Sequence, residues 1–432
     1  MKTLNREERF KIDGLRWEKR WKINNGRADS FIVPFSNTRP ANLVYHGESH
    51  FDYGHYGIHI GQEDRLTFLG SCKHIISAKF LDCRANSPTF RQESSTFFNP
   101  SSEYTLIIPP GVAHTFAGLE EVYTINNYIV YLPDPIDWAS QQTSWKLGTD
   151  VINIPQETRP EDAPALKVNS YSASERFYEW IRQQQQEALP NLSIDHPQTI
   201  FALDDENKKV RLTLYRNIDR KANSKKEVNV DGILGVKWCE HFQVLTGSES
   251  GIVPLMEESP FYVVVHGEEE YVHDSFGIHL GQEDHLTFVG PPEHQICLKL
   301  VDCRADSPTL HNEIELTFSP SPTKYLVIPP GVAHAFKNLE KVFTINRPVF
   351  YIDLDGNYMP GNDVIDWSLD KKPYPVLSTN SILAELPFYR MIADGQRHLM
   401  SNPSTNNTPT GILFHDRQTK QTLRITLRKL ID

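Results

Sequence analysis

The chain contains itself twice. Gly57-Ile58-His59-Ile60-Gly61-Gln62-Glu63-Asp64 returns as Gly277-Ile278-His279-Leu280-Gly281-Gln282-Glu283-Asp284. Ile108-Pro109-Pro110-Gly111-Val112-Ala113-His114 returns as Ile328-Pro329-Pro330-Gly331-Val332-Ala333-His334, again 220 residues on. Between them Asp82-Cys83-Arg84 and Ser87-Pro88-Thr89 return as Asp302-Cys303-Arg304 and Ser307-Pro308-Thr309. A period this long is a copied domain rather than a solenoid repeat, whose unit is roughly 20–50 residues. With 432 residues, each copy is large enough to bury its own core. The register drifts outside the motifs, and the polar stretch Arg220-Lys221-Ala222-Asn223-Ser224-Lys225-Lys226 marks the junction, giving domains 1–219 and 220–432. Ile136-Asp137-Trp138 matches Ile365-Asp366-Trp367, which places nine extra residues in a Gly/Asn/Pro-containing loop of the second copy.

Each copy reads as β structure. His74 to Arg84 and Glu121 to Tyr131 are rich in β-branched and aromatic residues and are bounded by Gly, Pro and Asn. Short strands without βαβ alternation predict a sandwich or barrel. One helix per copy follows: Ser172-Ala173-Ser174-Glu175 fits a capping box ahead of Phe177, Trp180 and Ile181. Leu383 to Ile392 is its counterpart, with Pro387 in the first turn.

A formal charge of −11 argues against a general nucleic-acid binder, whose affinity rests on Lys and Arg neutralising phosphates. Five cysteines without a C-x-x-C pair form no disulfide framework and point to reduced thiols. The charged start and the lack of an apolar run of about 18 residues predict a cytoplasmic protein away from membranes.

Pro109-x-Gly111-x-x-His114 has the shape of the second cupin motif: Pro fixes φ, Gly permits the turn, and the following strand aims His inward. The first cupin motif is partly present as His59-x3-Glu63-x6-Gly70, with Gly57 and Gly277 where a leading histidine would stand. His59, Glu63 and His114, with His279, Glu283 and His334, thus offer two His and one carboxylate per copy, enough for an iron-type divalent ion with open positions.

More of the residues resemble the dTDP-4-dehydrorhamnose 3,5-epimerase family: Gly-Ile-His, then Asp-Cys-Arg-x-x-Ser-Pro-Thr, then Ile-Pro-Pro-Gly-Val-Ala-His-x-Phe, over roughly Phe51 to Asp137 and Tyr271 to Asp366. The resemblance implies two tandem cupin jelly-roll barrels, a bicupin, each with an accessory helix and a closing hairpin. It implies no cofactor, because that family is metal-free. It also implies a keto-sugar substrate, whether nucleotide-linked or not, and a dimer reproduced within one chain or by further self-association. By resemblance, His59 and His279 are general bases taking a proton beside a carbonyl, work suited to an imidazole. His114 and His334 polarise the enolate oxygen.

The family's phosphate-binding arginine is replaced by Tyr56 and Phe276, and its lysine falls near Arg65 or His285. The catalytic tyrosine falls at Thr124 and Thr344, with Tyr123 and Phe343 one residue earlier, so Tyr123 is the candidate acid. Asp370 is the candidate carboxylate partner in the second copy. The expected activity is therefore sugar epimerisation or isomerisation. The alternatives are a metal-dependent cupin oxygenase or isomerase, and a carbohydrate-binding bicupin without catalysis.

Overall fold

The computed structural model describes residues 10–24, 29–35, 39–133, 151–188, 198–203, 209–214, 227–246, 249–255, 260–352, 364–401, 410–415 and 422–427. The protein is mainly β, built as two cupin-type units. The first comprises Met1–Arg20, Arg39–Ser224 and Phe242–Glu257, and the second Trp21–Thr38, Lys225–His241 and Glu258–Asp432. This division departs from a single cut at 219/220 in two segments, each grouped with the other copy's core. In the first unit Gly251–Leu255 pairs antiparallel with Ala41–Tyr45; in the second Phe31–Phe35 pairs with Phe261–Val265. The junction itself and the nine-residue insertion lie outside the described residues.

The first unit is a sandwich of two antiparallel sheets. One runs Arg16–Lys19, Ser101–Ile108, Gln62–Leu69, Tyr123–Asn126, Ala41–Tyr45, Gly251–Leu255 and Val244–Leu245 in spatial order. The other runs Gln198–Leu203, Lys209–Leu214, Val151–Pro155, His55–His59, Val112–Ala117, Ile76–Asp82 and Glu93–Phe98. Their inner faces supply one core, with Leu66, Phe68, Leu106 and Ile108 from the first sheet against Ile76, Phe80, Val112 and Phe116 from the second. Alternation along each strand sorts these from their outward neighbours.

The second sheet is also covered outside. Tyr56, Ile58, Leu81, Cys83, Ala113 and Ile152 pack with Ala163 and Leu166 from the segment that follows. Burial pushes the Cys83 thiol up to about 12, so it remains an inert core thiol. All five cysteines are free.

The second unit repeats this plan with the same inner core positions, among them Leu286, Phe288, Ile296, Leu300, Ile328, Val332 and Phe336. The helices are Glu175–Ala188 and Leu386–Ser401. The first starts later than the capping-box spacing suggested: Ser174 Oγ, not Ser172, accepts from the Phe177 N–H at 3.3 Å. Each helix is pinned to its barrel by a tyrosine hydroxyl that accepts a backbone N–H, Tyr178 from Val130 at 2.8 Å and Tyr389 from Phe350 at 3.0 Å. Paired strands follow, Gln198–Leu203 with Lys209–Leu214 and Thr410–His415 with Thr422–Leu427. Among the described residues no helix is long and apolar enough to cross a membrane.

The Asp-Cys-Arg and Ser-Pro-Thr motifs form a structural clasp. Arg304 Nε donates to Asp302 Oδ1 at 2.9 Å, and its Nη2 donates to Oδ2 at 2.7 Å. Ser307 and Thr309 hydroxyls add bonds of 2.5 and 2.6 Å to Oδ2. Arg304 also reaches the Leu234 carbonyl, tying the unit's leading segment to the sheet. The same net surrounds Asp82, with Arg84 donating to the Asp13 carbonyl. Burial alone would raise the Asp302 carboxyl, but the guanidinium and the two hydroxyls outweigh it and hold it down to about 2. Asp302→Asn should therefore cost about 3–5 kcal/mol, read as a lower denaturant midpoint. Because the folded pKa lies below the unfolded one, the carboxylate's contribution is complete above about pH 4 and is lost as pH falls toward 2. Acid titration of the Asp302→Asn variant should show a shallower loss of stability across that window.

Candidate functional site

Backbone geometry brings the two motif histidines together. His59 ends the strand His55–His59, and His114 lies on Val112–Ala117, where it stands opposite Gly57. The Pro-Pro-Gly turn that leads from Ser101–Ile108 into Val112–Ala117 places Gly111 at φ +78°, and its N–H donates to the His59 carbonyl at 2.6 Å. A Cβ at Gly111 would lie 2.5 Å from the Arg84 side chain, so the turn requires glycine twice over. The His59 and His114 rings sit 6.0 Å apart between centroids with planes inclined by 26°. His279 and His334 sit 5.7 Å apart at the same inclination.

The third group is a carboxylate from the facing sheet. On Gln62–Leu69 the inner face carries Gln62, Asp64, Leu66 and Phe68, because Leu66 and Phe68 are core residues and side chains alternate. Asp64 Oδ2 lies 3.6 Å from His59 Nε2 and 3.3 Å from His114 Nε2. Asp284 Oδ2 lies 3.6 Å from both His279 Nε2 and His334 Nε2. The other oxygen is held by amides: Gln62 Nε2 donates to Asp64 Oδ1 at 2.7 Å and Asn126 Nδ2 at 2.8 Å. Gln282 and Asn346 do the same for Asp284. His114 Nδ1 is 3.1 Å from the Val112 carbonyl oxygen, and His334 Nδ1 is 3.3 Å from that of Val332. Burial lowers the pKa of His114, and the nearby His59 adds to this; the attraction of Asp64 only partly opposes it. His334 is lowered for the same reasons. In each unit one carboxylate oxygen and two imidazole nitrogens lie within 4.8 Å of one another, an arrangement suited to a small cation.

Other expected site residues lie elsewhere. Glu63 and Arg65 occupy the opposite face from Asp64 and bond to each other at 2.9 Å, while Arg65 also bonds Glu18 at 2.5 Å. Glu283 and His285 are likewise paired at 2.8 Å. Glu63 and Glu283 are therefore replaced by Asp64 and Asp284 in the converging set, and Arg65 and His285 point away from it. Tyr56 and Phe276 sit in the apolar layers outside the second sheet, 2% and 0% exposed, away from the two histidines' face. Alternation puts Tyr123, three residues before Asn126, on the face of its strand away from Asp64. Phe343 stands in the same relation to Asn346. Thr124 is buried; the Thr344 hydroxyl is 2.9 Å from His266 Nε2 and so is occupied. Asp370 is exposed. Gln62, Asp64 and Asn126, with Gln282, Asp284 and Asn346, are the site residues that motif spacing missed. Strand alternation ahead of Leu66 and Phe68 was the signal for Asp64.

No family model matches the sequence, and no curated protein matches it significantly. Solved structures similar to it include a dTDP-sugar isomerase from Desulfovibrio desulfuricans, 17% identical over 33% of this chain and 90% of that one, with a TM-score of 0.24. A 4-keto-6-deoxy sugar epimerase of the novobiocin gene cluster of Streptomyces spheroides is 17% identical over 39% of this chain and 91% of its own, with a TM-score of 0.24. An epimerase from Mycobacterium tuberculosis is 12% identical over 41% and 98%, also with a TM-score of 0.24.

The amide support of Asp64 can be measured directly. Asn126→Ala removes one donor from a buried carboxylate and should lower stability by about 1.5–3 kcal/mol, visible as a shift in the denaturation midpoint. Arg65→Ala, on the far face, should leave the rings and Asp64 in place, as judged by the imidazole NMR signals.

Proposed function

We propose that each unit is an enzyme site for isomerisation or epimerisation at a carbon beside a carbonyl, with a sugar-derived small molecule as substrate. The observation that carries this reading is the convergence of two imidazole nitrogens and a carboxylate oxygen inside each barrel. The motifs around them resemble those of a keto-sugar epimerase family. Loss of a proton next to a carbonyl puts negative charge on its oxygen, so catalysis depends on how well that charge is met.

Orientation bears on the roles expected for His59 and His279. A general base needs its lone pair aimed at the proton it takes. His59 Nε2 and His114 Nε2 both face Asp64 Oδ2, at 3.6 and 3.3 Å. In this reading His59 or His279 takes the proton from the carbon beside the carbonyl, the aspartate carboxylate stabilises the imidazolium so formed, and the proton returns to carbon from that ring or from solvent. His114 and His334 keep the oxyanion-facing role that the motifs imply. Tyr123 has no part in it. A nucleotide diphosphate is not required, because Tyr56 and Phe276 replace the family's phosphate-binding arginine and are buried.

Incubation of the full chain with a panel of 4-keto-sugars in D2O tests this. Deuterium should enter the carbon beside the ketone. The double variant Asp64→Asn, Asp284→Asn should lose about 100-fold or more in rate, the scale of general acid–base catalysis by the imidazole it supports. Glu63→Gln should exchange like the parent chain. Exchange no faster than without protein, or an undiminished rate in the double variant, would contradict the proposal.

A further inference from the structure

We infer that Gly57 and Gly277 are the specificity-determining residues of the two sites: each opens a notch, one side chain wide, in which the hydroxyl-bearing carbon skeleton of the substrate lies against the paired imidazoles. The sugar-like class of that substrate rests on the isomerase reading above, whereas the notch itself rests on strand geometry.

The strand fixes which way each glycine faces. Tyr56 and Ile58 pack in the apolar layer outside the second sheet, so alternation turns Gly57 inward with His59. Gly57 stands directly opposite His114 on one neighbouring strand and opposite Asn153 on the other. Ile152 and Ile154 belong to the same outer layer, so Asn153 faces inward as well. In the second unit Gly277 lies between His334 and Asp366, and Ile365 and Trp367 take the outer side. Side chains directly opposite across antiparallel strands stand about 4.5–5.5 Å apart at Cβ, so each glycine leaves a gap between two polar neighbours.

Nothing in the fold asks for glycine at these positions. At Gly111 a φ of +78° and the Arg84 side chain exclude any other residue. Gly57 and Gly277 lie outside that left-handed region, in extended strand. A Cβ built on Gly57 would meet no atom of the described residues within 4 Å. One built on Gly277 would meet only His334 Nε2 among them, at 3.7 Å, an ordinary van der Waals contact. Glycine inside a strand costs stability, because it forgoes side-chain packing and loses more freedom on folding. Where it is kept, it often marks the close approach of a ligand. Both copies keep it on an inner-face position flanked by an imidazole. The two glycines are partly exposed, so the gap is reachable from solvent. Its rim is polar: imidazole on one side, and Asn153 or Asp366 on the other, each of a type that hydrogen-bonds a hydroxyl. A hydroxylated carbon skeleton suits such a rim better than an apolar group, and the bulk at the glycine position limits what can stand against the histidines.

The test uses the full chain, with Gly57 and Gly277 replaced together by alanine or by leucine. The probes are the 4-keto-sugars of the exchange panel and their 4-hydroxy counterparts, which bind without forming an enolate. Titration is followed by the imidazole NMR signals of His114 and His334. In the parent chain both kinds of sugar should shift these signals saturably. The alanine variant should bind about tenfold more weakly, with a denaturation midpoint no lower than the parent's, and the leucine variant should not bind. Where leucine also unfolds the chain, the alanine variant decides. Absence of any saturable shift in the folded parent would overturn the inference, as would parent-like affinity or a fallen midpoint in the alanine variant. Binding that the variants lose, without deuterium exchange in the parent, would sustain the notch and sink the isomerase. Exchange at the parental rate in both variants would sustain the isomerase and sink the notch.

Discussion

The buried Asp64 carboxylate is the polar clasp across the first barrel. It rises from the strand Gln62–Leu69 in one sheet, where Asn126 on a neighbouring strand holds one of its oxygens. Its other oxygen meets His59 and His114, which come from two adjacent strands of the facing sheet. Four strands and both layers of the sandwich thus converge on one group that is 2% exposed. A carboxylate in such a place is tolerated only if every lone pair finds a partner, since burying charge without pairing is costly. The amides satisfy one side. The two imidazoles meet the other side, and the chemistry of the site follows from that meeting.

Around this centre the two units differ where the site does not depend on them. Arg65 bridges Glu63 and Glu18 in one, whereas His285 pairs with Glu283 in the other. Tyr56 and Phe276 exchange freely because both lie in an apolar outer layer. What both units share is mechanical: the positive-φ glycine whose N–H grips the histidine strand, and the clasp in which Asp82 or Asp302 gathers an arginine and two hydroxyls.

The repeated motifs make the jelly roll, its duplication and the pair of histidines legible in the sequence, because these rest on local turn chemistry. The carboxylate was legible too, but by a different rule. Motif spacing selects Glu63, while alternation counted back from Leu66 and Phe68 selects Asp64, and packing obeys the second. Asn126 could not be read, because its contact with Asp64 spans 62 residues and depends on strand order. Nor could the grouping of Trp21–Thr38 with the second unit, since a repeat fixes which segments correspond but not which copy's sheet each one joins. Tyr56, Arg65 and Tyr123 lie off the inner face for one common reason: each is an odd number of residues from an inward-facing position on its strand, and correspondence of motifs does not register that step.

A double-mutant cycle between Asp64 and His114, read by equilibrium denaturation, tests the central claim most directly. The carboxylate and the imidazole lie 3.3 Å apart, so Asp64→Asn and His114→Gln should be coupled by about 0.5–3 kcal/mol. Strictly additive losses would contradict it.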